Sequence, residues 1–269
     1  MTDKCAWIIN LGQDDASGLQ VAAQLSAYGL KPRGQRWPKG EDKAWMASAE
    51  EAAHQNASVV ILLGTPEELG DPATRRELSL FRLALQTNKG GPVNGMALQP
   101  GAGTAGTAAE TSAQADSNRV SLLADWLVPA ASGWAAKAVA RAHAPVAPRW
   151  PVRLGMHAHE RLGAWLEVHP SPGHEAEGAC VGVSGEGASI NFHAVGEAGA
   201  LPERSVNEYE LQGLKFDIGG LAFDAWALQN RIGKGQSYFV RVDGLPDYLA
   251  VGTLPGGQLE EVHVLSLVS

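Results

Sequence analysis

Ser58-Val59-Val60-Ile61-Leu62-Leu63-Gly64-Thr65-Pro66 decides the fold of the first half of the chain. Two valines and an isoleucine in an uncharged run of six favour a strand covered on both faces, the pattern of a parallel sheet. Gly64-Thr65-Pro66 stops that strand, and Thr65 with Glu68 predicts a one-turn helix. Asp71-Pro72 opens a longer helix, an aspartate cap with proline in the first turn, and Leu78, Phe81 and Leu85 form its buried face. Ala6 to Leu11, toward the N-terminus, repeats the buried-strand pattern. A helix follows, with Asp14, Asp15 and Ser17 able to cap its start and Gly29 to stop it. Leu19, Ala22, Ala23 and Ser26 trace its apolar face, widened by Val21, Leu25 and Tyr28. Leu30 to Trp37 reads as a more polar edge strand, and Ser48 with Glu51 as the capping box of a helix through about Gln55. Val93 to Leu98 is a weaker strand, Ser121 to Leu127 fits strand or helix, and Ser132 caps a last helix to about His143. Strand and helix alternate throughout, which implies an α/β parallel-sheet domain over residues 1–144.

Two stretches interrupt this order. Residues 99–118 are low in complexity and lack any large apolar side chain, which predicts a mobile loop. Residues 145–151 are rich in proline and predict a stiff linker. Beyond it, strand-like runs are punctuated by Gly185-Glu186-Gly187, Gly219-Gly220, Gly233-Lys234-Gly235 and Pro255-Gly256-Gly257. The runs are Ala164–His169, Ala179–Ser184, Ser189–Ala194, Leu214–Ile218, Ala222–Leu228, Tyr238–Val242, Tyr248–Val251 and Val262–Val268. Their number and spacing predict an all-β sandwich or barrel domain over residues 152–269.

Charge and composition exclude whole classes. Of 269 residues, 45% are hydrophobic and 19% charged, a globular composition. The net charge is −8, and it sits in the second half: 13 basic and 14 acidic residues precede position 145, against 8 and 15 after it. An acidic chain repels phosphate backbones and anionic membranes, so the expectation is no nucleic acid among its partners. No apolar run is long enough to span a bilayer, so no membrane insertion is expected. Met1 to Trp7 shows no signal-peptide pattern, and Cys5 and Cys180 have no metal or redox spacing, which together point to the cytoplasm.

Few residues carry chemistry. The turn Gly12-Gln13-Asp14-Asp15 lacks a dinucleotide fingerprint, and its two carboxylates would repel a pyrophosphate. Asp14, Asp15 and Thr65 lie past strand ends, where an α/β sheet presents its ligands; the aspartates would hold Mg²⁺ or a ribose hydroxyl there. Their other reading is as helix caps that complement the N-terminal dipole. A Walker loop is missing, and Gly182-Val183-Ser184-Gly185 has Glu186 where a nucleophile elbow needs glycine. His157 and His159 share a strand face at a spacing that chelates metal, with Glu160, His169, His174 or His193 as further ligands, or they are simply exposed polar residues. Trp150, Trp165 and Trp226 either stack on sugars or fill core. The stretch Asn191 to Ser205 reads as a strand running into a recognition loop.

Ile8-Ile9-Asn10-Leu11-Gly12-Gln13-Asp14-Asp15, the helix ending Leu25-Ser26-Ala27-Tyr28-Gly29-Leu30, and Ala57 to Pro66 resemble the opening of Toll/interleukin-receptor (TIR) domains, and flavodoxin-like sheets share the pattern. Arg75-Arg76-Glu77-Leu78 falls where NAD-cleaving TIR members carry a catalytic glutamate before a leucine, although the Trp-Cys pair expected before it is replaced by Thr74-Arg75-Arg76. The resemblance implies NAD as substrate and Glu77 stabilising an oxocarbenium-like state; apart from that alternative, no cofactor is expected. Read without it, Glu77 is a solvated residue of an amphipathic helix. With no complete catalytic set, the leading expectation is a non-catalytic interaction or adaptor protein, a subunit of a larger assembly with a protein partner. The NAD-cleaving hydrolase is the alternative.

Overall fold

The computed structural model describes residues 4–12, 14–38, 40, 43–99, 119–128, 132–146, 152–159, 161–171, 175–202, 211–254 and 261–269. Nearly all of the low-complexity stretch, most of the proline-rich linker, Trp150, Glu160, His174 and residues 203–205 lie outside them. The chain divides into two compact units, one drawn from residues 1–113 and 122–147 with Ser269, the other from 114–121 and 148–268.

The first unit is built on a four-stranded parallel sheet of β1 (Cys5–Asn10), β2 (Lys31–Arg36), β3 (Ala57–Leu63) and β4 (Asn94–Leu98), in the order β2-β1-β3-β4. Among the described residues five helices accompany it: α1 (Asp15–Ala27), α2 (Ala44–His54), α3 (Pro66–Gly70), α4 (Pro72–Lys89) and α5 (Trp134–His143). On one face Ala6, Ile8, Val59, Ile61, Met96 and Leu98 pack with Val21 and Leu25 of α1 and Trp134, Ala135, Ala138 and Ala142 of α5. The alternate residues Trp7, Ile9, Val60 and Leu62 are buried as well, so neither face of the two central strands is wet. β2 is the polar edge. Its Lys31 and Trp37 N–H groups bond inward to Lys4 and Asn10, which turns the missing N–H of Pro32 outward, where a sheet tolerates it.

The helices depart from expectation in instructive ways. In α1 the buried residues are Val21 and Leu25, while Leu19 is 71% exposed. No charge between Ala16 and Leu30 marks the wet side, so periodicity alone could not orient the helix. Ser48 is no cap: α2 begins at Ala44, and the buried Ser48 hydroxyl donates to the Ala44 carbonyl and accepts from Gln35. Gly133, at φ 75°, caps α5 in place of Ser132. α4 buries more than its predicted stripe. Arg82, 4% exposed, donates to Leu122 O at 2.7 Å and to both Asp125 oxygens at 2.6 and 3.1 Å. Its guanidinium lies 4.9 Å from the Trp126 ring centroid, and Trp126 in turn donates to Val93 O at 3.2 Å.

Among the described residues the second unit has two sheets rather than one closed barrel. The larger has the order β10-β11-β8-β13-β14-β5 and the smaller β6-β7-β12-β9. Their strands are β5 (Arg119–Ser121), β6 (Val152–His159), β7 (Gly163–Pro170), β8 (Ala176–Ser184), β9 (Ser189–Glu197), β10 (Leu211–Ile218), β11 (Leu221–Ile232), β12 (Gln236–Asp243), β13 (Tyr248–Thr253) and β14 (Glu261–Ser266). Pairing is antiparallel except between β14 and β5. One feature departs from the single cut expected near 145–151: β5, only three residues long and without a periodic pattern to reveal it, joins the second unit before the chain returns to the first. β6 lies within the expected second domain, in a stretch outside the predicted strand-like runs. Among the described residues no helix is long and apolar enough to cross a membrane.

Gly95 tests the packing of the Trp126 ring. A methyl group there would run into the indole, whose position Arg82 and Val93 fix. Gly95→Ala is expected to lower stability by about 1–3 kcal/mol in chemical denaturation. Gly95→Ala/Trp126→Leu should lose less than the sum of the two single changes, because both act on one site.

Candidate functional site

The carboxyl ends of β1 and β3 flank the point where the strand order reverses, the usual ligand crevice of an open α/β sheet. Asn10 organises the first turn: its side chain donates to Asp14 O at 2.8 Å and accepts from Gly12 N at 3.1 Å. Asp14 caps α1, accepting from Ala16 N at 2.9 Å, Ser17 N at 3.3 Å and the Ser17 hydroxyl at 3.1 Å. These bonds, the one from Ala16 foremost, hold its carboxyl below the ordinary range. Asp15 is exposed and pairs with Arg36 at 2.6 Å, a contact of small energetic weight. Thr65 caps α3 reciprocally with Glu68: Glu68 N donates to Thr65 Oγ1 at 3.2 Å, and Thr65 N to Glu68 Oε2 at 3.0 Å. Methyl groups built on Gly12 and Gly64 would lie 3.9 and 3.3 Å from Glu68 Oε2, so that carboxylate sits between the two turns.

Glu77 is half-buried on α4 and accepts from the Trp37 indole at 2.8 Å. Trp37 N donates to Asn10 O at 2.8 Å, which ties the Trp37–Glu77 pair to the end of β1. Trp37 and Glu68 were missed in sequence because nothing local marks them: one follows an edge strand, the other reads as half of a cap.

In the second unit the register of the smaller sheet sets cross-strand rows. Gly155, Glu167, Phe239 and Ala194 are level, as are His157, Trp165, Arg241 and Phe192. Glu167, 6% exposed, is the centre of a polar cluster. Its Oε2 lies 2.6 Å from His157 Nε2, and its Oε1 accepts from the Ser237 hydroxyl at 2.6 Å and Gly199 N at 2.8 Å. Burial pushes the Glu167 carboxyl upward, but the bonds from His157, Ser237 and Gly199 outweigh it and leave the group below its ordinary value. His169 Nδ1 is 2.9 Å from Gln236 O and 3.1 Å from Ser237 Oγ, and it donates to that carbonyl when Nδ1 carries the hydrogen, as in the neutral Nδ1–H tautomer.

His157 and His159 therefore serve separate ends. The first meets Glu167, while His159 Nδ1 accepts the backbone N–H groups of Arg161 and Leu162 at 3.1 and 3.3 Å and so closes the β6–β7 turn. No group of three or more His, Cys, Asp or Glu able to hold a metal occurs among the described residues. His193 is turned elsewhere, 3.2 Å from the Tyr238 hydroxyl and with its ring 4.3 Å from that of Trp226. Burial lowers the pKa of His193, and burial pushes the Cys180 thiol up to about 11, where it is no nucleophile at neutral pH. Trp165 is buried beside Phe192 and Arg241, and Trp226 is half-buried, so the two are not an exposed row of rings. Compared with protein families, curated proteins and solved structures, the chain matches none.

Among the described residues of the second unit, His193 and Glu167 contribute to acid sensitivity. Native His193 binds its proton less readily than the ordinary imidazole at 6.5, and Glu167 less readily than the ordinary carboxyl at 4.5. In both windows the unfolded chain binds more protons, so stability is full above 6.5, falls first below it and again below 4.5. Thermal unfolding across this range should show both stages, and His193→Gln should remove the upper one. Glu167→Gln should cost about 3 kcal/mol at neutral pH, since it strips the charge from a buried, fully bonded partner of His157.

Proposed function

We propose that the chain is a non-catalytic interaction or adaptor protein, a subunit of a larger assembly, in which a flavodoxin-like or TIR-like unit is joined to an acidic β unit. The order β2-β1-β3-β4 matches the first four strands of the flavodoxin-like order and supports that architecture. The observation that carries the function is the outward face of α1. From Ala16 to Leu30 the chain has no charge, and Leu19 of α1 is 71% exposed; Tyr28, the residue that follows the helix, is 51% exposed. Such a surface favours a protein partner. Asp14, Thr65 and Glu68, which would otherwise serve a small substrate, are engaged in capping.

A second reading, the NAD-cleaving hydrolase with Glu77 as catalytic carboxylate and Asp14 and Asp15 near the ribose, draws support from the Trp37 indole. It orients Glu77 and links it to the end of β1.

Tagged protein recovered from its native host should bring down a defined partner. Leu19→Glu and Ala23→Glu, both on exposed positions, should abolish that capture while changing stability by only about 0.5 kcal/mol. A chain that is always recovered alone and that turns over a small molecule overturns this reading. For the hydrolase, incubation with NAD should release nicotinamide, and Glu77→Gln, which keeps an acceptor for Trp37, should slow release by about 10²–10⁴-fold. No release from either protein removes it.

A further inference from the structure

The second unit contains a cleft of about 450 Å³ between the β8–β9 turn and the β10–β11 hairpin, a size suited to a small ligand. Both walls are braced without one. Ala188 N donates to Gly185 O at 3.2 Å and Asp247 N to Ser184 O at 2.8 Å, and Gly187 packs so closely on Gly244 that a side chain there would not fit. Across the cleft, Arg119 donates to Gly219 O, and Gly220 N donates to Asp217 Oδ1 at 3.0 Å.

The lining combines an apolar part, Val183, Ala188 and Ala222, with three charges, Lys215, Asp217 and Asp224. The β10–β11 register places Lys215 opposite Asp224 and Asp217 opposite Ala222, all on one face of the hairpin. Each carboxylate is already aimed by a backbone donor: Asp217 Oδ1 by Gly220, and Asp224 Oδ2 by Ile190 N at 2.8 Å. Each keeps a second oxygen. Among the described residues neither those oxygens nor the Lys215 ammonium has a bonding partner.

We infer that this cleft binds a small molecule bearing both an ammonium and a carboxylate, and that it prefers cationic amino acids. Asp217 and Asp224 receive the ligand's positive groups, Lys215 its carboxylate, and the apolar wall its aliphatic stem. Two acids against one base leave the lining negative, which disfavours acidic amino acids and phosphates.

Calorimetric titration of the full chain separates the outcomes. L-Lysine and L-arginine should bind saturably at one site, and L-glutamate at least about tenfold more weakly. Asp224→Asn keeps the carbonyl that accepts from Ile190, so it removes charge without loosening β9; it should weaken L-lysine about tenfold, and Asp217→Asn likewise. Lys215→Met should weaken L-lysine but not 1,5-diaminopentane, which has no carboxylate to lose and meets one cation fewer, so its binding stays the same or tightens. No saturable heat from L-lysine or L-arginine up to about 10 mM overturns the inference. So does L-glutamate binding as tightly as L-lysine, or L-lysine binding unchanged in all three variants.

Discussion

Burial of β1 and β3 on both faces governs the first unit. A strand without a wet face needs a hydrogen-bonded neighbour on each edge and an apolar layer above and below, and a parallel sheet with helical crossovers supplies all of these. α1 and α5 close one face. With β1 and β3 central, the polar Lys31-Pro32-Arg33-Gly34-Gln35-Arg36 segment is displaced to the edge, where its charges and proline discourage further pairing. The same demand for cover draws residues 122–126 against α4. A guanidinium as buried as that of Arg82 is tolerable only because Asp125 and the Leu122 carbonyl meet it, and Trp126 lies beside it. A charge thus fixes the course of the chain on its return from β5.

At the strand ends, the polar groups that close the helices are the ones a ligand would otherwise use. Asp14 and Thr65 occupy the positions where doubly wound sheets bind substrates, yet each accepts from backbone N–H groups of the helix it begins. A cap bond contributes about 1 kcal/mol, which a ligand would have to offset before using the same oxygen. On the reading proposed above, this favours surface recognition over chemistry in the crevice, and the absence of charge from Ala16 to Leu30 points the same way.

Long, monotonous patterns were legible in the sequence. The apolar runs at 6–11 and 58–63, the Asp71-Pro72 start and the glycine-bounded strands past position 163 read directly because each is a local consequence of desolvation or turn geometry. Non-local features were not. The three residues of β5 take their strand character from β14, about 145 positions away in sequence. Orientation of α1 requires a charge contrast that its residues lack, so Leu19 read as core. Ser48 and Glu51 satisfy a capping pattern, but the helix already begins at Ala44. At the sites, His157 and His159 share a face as their spacing implies, whereas Glu167, which gives His157 its partner, lies in another strand without any spacing rule to link them.

The carboxylates of the chain sort by what they face. Asp14, Asp71 and Glu68 cap helices; Asp125 and Glu167 answer buried or half-buried donors. In both roles the anion is met by donors of its own fold, and for Glu167 those donors outweigh the effect of burial. Asp217 and Asp224 belong to neither set. One oxygen of each is fixed by a backbone N–H, which holds the carboxylate still, and among the described residues neither the other oxygen nor the Lys215 ammonium has a bonding partner. A carboxylate that is held but not satisfied loses little entropy when it meets a cation, and this is the physical condition for selective binding at modest area. On the inference drawn above, preorganised, half-satisfied charge makes the β10–β11 hairpin, among the described residues, a place where acidity can act on a ligand rather than on the fold itself.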